Sequence, residues 1–335
     1  MGPLADSLAR SPELFPLALD LRTGMVNLIR LARSDYEQAS FLDGRIAAPT
    51  RPVRTLPFPD LARAVDEAGL GESCDFIFHL GHVGSTLLSR LLGRHPALFS
   101  LREPEILRTL AQAAPTGTVD DYLAVFLKLW SRTFDPRARA LVKTTSFVSE
   151  LAPAILARPY APRALAISVG PEIYLATIFG GENAPMEARA LAISRSARLE
   201  RRTGLPVRPA NLSEGETVAM GWACEATSLA AAKRSGALML DFDRFLADPE
   251  QGLALAFAHL GVEAEPNLLA RILSGPEMRT YSKAPQHAYD RNLRRAALDQ
   301  GRRHHAAEIR RGLEWLNSAA RENPLLGSAL DLFGE

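Results

Sequence analysis

The chain has 335 residues, 47% of them apolar, enough to bury a large core as one large domain or two small ones. Its formal net charge of +1 excludes a global basic field, and with it nucleic-acid binding as the default function. The two cysteines, Cys74 and Cys224, lie far apart without ligand-like spacing, so neither a disulfide scaffold nor a metal site is expected. Met1–Arg22 lacks a basic segment followed by an unbroken apolar run, and no window reaches the roughly 18 apolar residues a membrane span needs. The expectation is a soluble, cytoplasmic protein with no membrane partner. Only four of its 39 basic residues are lysine (Lys128, Lys143, Lys233 and Lys283), so each marks a position where a compact point charge was kept.

In chain order, Leu14, Leu17, Leu21, Leu28 and Leu31 recur at helical spacing, and residues 1–45 read as helical. Four prolines make Pro49–Pro59 an extended connector, and Asp60–Ala68 a short helix closed by Gly69. Residues 1–72 are thus expected to be a helical N-terminal extension packed on a second unit, 73–335. The pattern then changes. Asp75–Leu80 is a short apolar run fit for a buried strand, followed at once by Gly81-His82-Val83-Gly84-Ser85-Thr86. Leu87, Leu88, Leu91 and Leu92 continue on one helical face to a stop at Gly93–Pro96. Further strands are expected at Leu98–Leu101, Ala140–Val142, Ala164–Val169 and Ala237–Phe242. Helices are expected at Pro171–Phe179, Glu216–Lys233 and Glu250–Leu260, with one long arginine-rich helix at Asn292–Arg321. Strands alternating with helices predict an α/β fold whose parallel sheet is covered on both faces.

Strand, glycine-bearing turn and helix in that order form a phosphate-loop arrangement. A turn entering a helix presents unpaired N–H groups and the positive end of the helix dipole, so an anion is its natural ligand. Gly84 allows close backbone approach, and Ser85 and Thr86 offer hydroxyls. The loop is not that of a nucleotide hydrolase, because no lysine follows Gly84. The bland alternative is an ordinary tight turn.

Here the chain resembles the sulfotransferase family, whose phosphate loop reads Pro-(Lys/Arg)-(Ser/Thr)-Gly-(Thr/Ser)-(Thr/Ser)-(Leu/Trp). This sequence has Gly81-His82-Val83-Gly84-Ser85-Thr86-Leu87. The likeness, greatest to bacterial and protein-tyrosine members, continues through His95-Pro96, Arg102-Glu103-Pro104, Val142-Lys143-Thr144, Trp222 and Leu240–Pro249, covering roughly residues 73–265. It implies a three-layer phosphate-loop fold and transfer of a sulfuryl group from 3′-phosphoadenosine 5′-phosphosulfate, without a metal. The acceptor would be the hydroxyl or amine of a small molecule or peptide, and a homodimer is the one assembly considered.

The resemblance also assigns roles. Gly81, His82, Val83, Gly84, Ser85 and Thr86 would hold the 5′-phosphate, Glu103 would be the general base with Glu105 in reserve, and Lys143 and His82 would stand near the sulfuryl group. Ser282 and Lys283 would close over the nucleotide, and Thr177 would keep the hydroxyl of the serine in the second, 3′-phosphate site. Two departures stand out. His82 replaces a permanent cation, and Val169 replaces the arginine that relatives place on the 3′-phosphate. Arg189, Arg195, Arg198, Arg201, Arg202 and Arg208 offer a replacement, or else form a solvated basic face. The competing functions are a binding or scaffold protein that has lost transfer, and a kinase-like phosphoryl transferase, against which the missing loop lysine argues.

Overall fold

The computed structural model describes residues 2–47, 51–115, 117, 119–282 and 286–333. The N-terminal segment is not helical throughout. Strands β1 (Leu14–Asp20), β2 (Met25–Arg30) and β3 (Val53–Pro57) form an antiparallel sheet in the order β1-β2-β3. A hairpin turn is the physical reason. The Asp20 carboxylate accepts from the N–H groups of Arg22 and Thr23, and Gly24, at φ +67°, donates to the Asp20 carbonyl at 2.8 Å. Pro16, which would break a helix, sits at a register shift of the β1–β2 ladder where no donor is needed. Helical structure in this region is confined to short pieces, such as Pro3–Arg10 and Arg33–Gln38.

Two buried arginines tie this N-terminal segment to the rest of the chain. Arg102 donates to the carbonyls of Tyr36, Glu37 and Ala39, and Arg132 donates to those of Ser11 and Leu14 at 3.0 and 2.7 Å. Leu14, Phe15, Val26 and Leu28 belong to the same buried apolar cluster as the central strands.

The central sheet has the order β5-β6-β4-β7-β8 and every pairing is parallel, formed by β4 (Asp75–His79), β5 (Leu98–Arg102), β6 (Arg139–Lys143), β7 (Ala164–Ser168) and β8 (Leu238–Asp241). All five residues of β4 are buried, so both of its faces are covered. The helix Ser85–Leu92 packs on β4, β5 and β6, while Glu214–Arg234 packs on β4 and β7. The fold is thus α/β around a parallel sheet, and each strand and helix expected from Asp75 to Leu260 is present within a few residues.

The C-terminal arginine-rich stretch differs from expectation. It is two helices, Arg291–His304 and Ala306–Glu322, broken at His305, whose ring stacks on Phe179 at 4.7 Å. The first packs on Pro171–Phe179 so closely that a Cβ at Gly301 would lie 2.3 Å from the Ala176 carbonyl oxygen. The second packs against Glu214–Arg234, and one straight rod would not meet both neighbours.

Candidate functional site

In an open parallel sheet the loops beyond the carboxyl ends of the strands converge on one edge. Here that edge opens into a cleft of about 1060 Å³. Its floor is the turn after β4. Gly81, His82 and Gly84 all adopt left-handed backbone, with φ of +89°, +53° and +68°. His79, at the end of β4, holds the turn in place. The Gly81 N–H donates to its Nδ1 at 2.9 Å, and its Nε2 lies 2.8 Å from the Thr144 carbonyl. A carbonyl only accepts, so Nε2 carries the proton and the ring is neutral.

The helix Ser85–Leu92 starts at Gly84 with no side-chain cap. Its first N–H groups and the dipole face the cleft, as an anion site requires. Two hydroxyl oxygens in the cleft lining, those of Thr86 and Thr145, are buried and lack a hydrogen-bond partner. Leaving a buried hydroxyl unpaired costs about 1–3 kcal/mol, so a ligand oxygen that met Thr86 would recover that cost. Gly84 has a further reason to be glycine, because a Cβ there would sit 1.9 Å from Cζ of Phe242, the residue that follows β8.

Glu103, just beyond β5, lines the cleft and holds a left-handed backbone at φ +53°. For a residue with a Cβ this costs of order 1–3 kcal/mol, and such outliers cluster at sites of function. The Glu103 N–H donates to the Lys143 carbonyl at 2.6 Å, and the Lys143 ammonium forms an ion pair with the Glu103 carboxylate. Lys143 is fully buried and lies behind Glu103, outside the cleft lining. It therefore supports the carboxylate and does not stand open to a transferring group. Glu105 accepts from the Gly44 N–H at 3.1 Å and lies outside the lining too. Arg45 lies against the Phe41 ring at 3.5 Å, its pKa raised by its hydrogen bonds to Asp43, with Glu103 and Glu105 adding to the effect.

The structure brings Gly81, His82, Val83, Gly84, Ser85, Thr86, Glu103, Thr177 and Ser282 to this one cleft. His82 Nε2 is 3.5 Å from the Glu187 carboxylate, and the Thr177 hydroxyl donates to Ile173 at 2.7 Å. The Ser282 carbonyl accepts from Arg90 at 3.0 Å. Lys283 lies outside the described residues. Val169 is buried, and its carbonyl accepts from the Trp222 indole at 3.1 Å, so the position where the resemblance leads one to expect an arginine is part of the core here. Of the arginine-rich stretch, Arg189 pairs with Glu214, while Arg198, Arg201 and Arg202 pair with Glu150, and only Arg195 lines the cleft. Composition and spacing gave no sign of His79, Thr145 or Phe242. A histidine that closes a strand just before a glycine turn was the one local cue.

Among the described residues no helix is long and apolar enough to cross a membrane, and no group of three or more His, Cys, Asp or Glu is arranged to hold a metal. No family model and no curated protein matches the chain. Solved structures similar to it include a sulfotransferase domain from the curacin biosynthetic pathway, at 15% identity over 69% of this chain and 90% of that one, with TM-score 0.41. A mouse sulfotransferase complexed with PAP is 14% identical over 81% of this chain and 93% of its own, with TM-score 0.42. A sulfotransferase from Alicyclobacillus acidocaldarius is 15% identical over 62% and 93%, with TM-score 0.33.

Proposed function

We propose that the chain is a sulfotransferase, moving a sulfuryl group from 3′-phosphoadenosine 5′-phosphosulfate to an acceptor hydroxyl or amine. The observation that carries the reading is that the uncapped glycine turn, with its orphaned Thr86 hydroxyl, and the Glu103 carboxylate line the same cleft. In this reading the turn and the Ser85 and Thr86 hydroxyls bind the donor's 5′-phosphate. The acceptor oxygen or nitrogen attacks sulfur, its proton passes to Glu103, and the bond from sulfur to the bridging phosphate oxygen breaks. The leaving nucleotide departs with that oxygen's charge, which the turn's N–H groups meet as it develops. Lys143 acts as a positioning residue, fixing the carboxylate at backbone and side chain. Such transfer rests mainly on positioning and electrostatics.

A second reading is a binding protein without transfer, favoured by two observations: the Lys143 ion pair engages the carboxylate, and Val169 leaves no arginine at its position. Adenosine 3′,5′-bisphosphate should raise the melting temperature under either reading, by the equivalent of about 2.7 kcal/mol at a hundred times its Kd. ATP with magnesium should not. A shift with ATP and magnesium, and none with the bisphosphate, would instead favour a phosphoryl transferase, and transfer itself separates the two readings.

A further inference from the structure

Beside the cleft, the helices Ala184–Ala190 and Ala192–Thr203 form one run. Leu191 joins them in right-handed backbone, its N–H donating to the Glu187 carbonyl at 3.0 Å and its carbonyl accepting from Arg195 at 2.9 Å. Ala184, Ala188, Ala192, Arg195 and Leu199 are buried, so the inner face turns with the helical period straight through that joint. The outer face carries Met186, Ala190, Ile193 and Ala197 at the same spacing, all exposed. Met186 at 67% and Ile193 at 78% are the two most exposed large apolar side chains among the described residues. Apolar residues scattered singly on a surface need no explanation, whereas a stripe along one helix face marks an interaction surface. The stripe is flanked at its two ends by the exposed Glu182 and the half-exposed Arg201. Arg201 is loosely held, 3.8 Å from a Glu150 that Arg202 and Arg198 already engage at 2.8 and 3.1 Å.

We propose that this face is the interface of a homodimer, pairing antiparallel with the same face of a second copy across a two-fold axis between Leu191 and Ala192. The stripe is complementary to itself in that arrangement and in no parallel one. Met186 comes opposite the partner's Ala197 and Ala190 opposite the partner's Ile193, so a large side chain meets a small one at every level. At each end Glu182 comes within reach of the partner's Arg201. A parallel pair would instead set each of these residues against its own kind, acid on acid and arginine on arginine. Ala190 belongs both to the stripe and to the cleft lining, so the partner would also cover the rim of the cleft on that side. An interface one helix wide is at the small end of specific contacts, below about 1,200 Å² in total, and a dissociation constant in the micromolar range is expected. The pairing does not depend on which reaction the cleft performs.

Sedimentation equilibrium of the full chain over a range of concentrations tests it. The parent should pass from monomer to dimer, and Ile193→Glu, present twice in each dimer, should raise the dissociation constant by about a hundredfold or more. Ile193 is solvent-exposed in the monomer, so that variant should melt like the parent. The end pairs fix the register. Glu182→Arg and Arg201→Glu should each weaken the dimer by roughly tenfold, and the two together should restore it, because the reversed charges again face each other. A parent that stays monomeric into the millimolar range overturns the proposal, and so does a dimer that Ile193→Glu leaves intact. Loss of acceptor binding by Ile193→Glu in a monomeric parent would assign the stripe to the apolar part of an acceptor instead. A dimer weakened by Ile193→Glu but not rescued by the double charge reversal would overturn the antiparallel pairing.

Discussion

Glu103 and Lys143 are joined twice, by a 2.6 Å backbone hydrogen bond and by an ion pair between their side chains. Strand register brings this about, since Arg102 on β5 pairs with Lys143 on β6 and carries the next residue, Glu103, over the end of its neighbour. Breaking a buried pair on one side strands the other charge at a cost of about 3–5 kcal/mol. Lys143→Met and Glu103→Gln should each lower stability in urea unfolding, and the double variant should lose less than their sum. A coupling of about 1–3 kcal/mol is expected, and strict additivity would mean that the pair contributes nothing.

Gly84→Ala should both destabilise the fold and abolish nucleotide binding. The left-handed backbone alone costs about 1–3 kcal/mol for alanine, and the new Cβ drives into the Phe242 ring. Adding Phe242→Ala should relieve the clash and leave the backbone strain. A thermal melt of both variants reads the difference, and full binding by Gly84→Ala would contradict the anion-site reading of the turn.

Val169→Arg installs the arginine that the family resemblance led one to expect, yet it should not tighten nucleotide binding. The side chain at 169 is buried, so a guanidinium introduced there would have to leave water. Destabilisation of about 3 kcal/mol or more is expected in denaturant unfolding. A stable variant with higher affinity for adenosine 3′,5′-bisphosphate would show that the pocket reaches this position.

Glu225 should shape the acid limb of stability. Burial pushes its carboxyl upward, but Arg198, as charge and as hydrogen-bond donor, outweighs that together with Arg195 and Arg202, and the folded value falls below the ordinary 4.5. A depressed folded value means the contribution is present above the unfolded value and is lost as pH falls through the folded one. Glu225→Gln should therefore cost more stability at pH 7 than at pH 3. Urea unfolding across that range checks it, and an equal loss at both ends would contradict the assignment.

The strand, glycine turn and helix from Asp75 to Leu92 were legible because local pattern and final burial agree there. The hairpin at Leu14–Arg30 was not. Leu14, Leu17 and Leu21 fit helical spacing, and the turn chemistry of Asp20–Gly24 that decides against it is local and readable. Membership of the cleft was legible for the residues at strand ends. What stayed hidden depends on contacts between distant segments: Phe242 over Gly84, Arg195 seated on Gly221, and Lys143 turned behind Glu103. No periodicity encodes such contacts, since they follow from how strands are ordered and helices pack.

The most direct test is labelled-sulfate transfer from 3′-phosphoadenosine 5′-phosphosulfate to a panel of hydroxyl and amine acceptors, run on the parent and on Glu103→Gln. The account predicts transfer by the parent and a loss of roughly 10²–10⁴ in turnover for the variant, with nearly unchanged affinity for adenosine 3′,5′-bisphosphate. No transfer by a folded parent, or equal turnover by both, would contradict it.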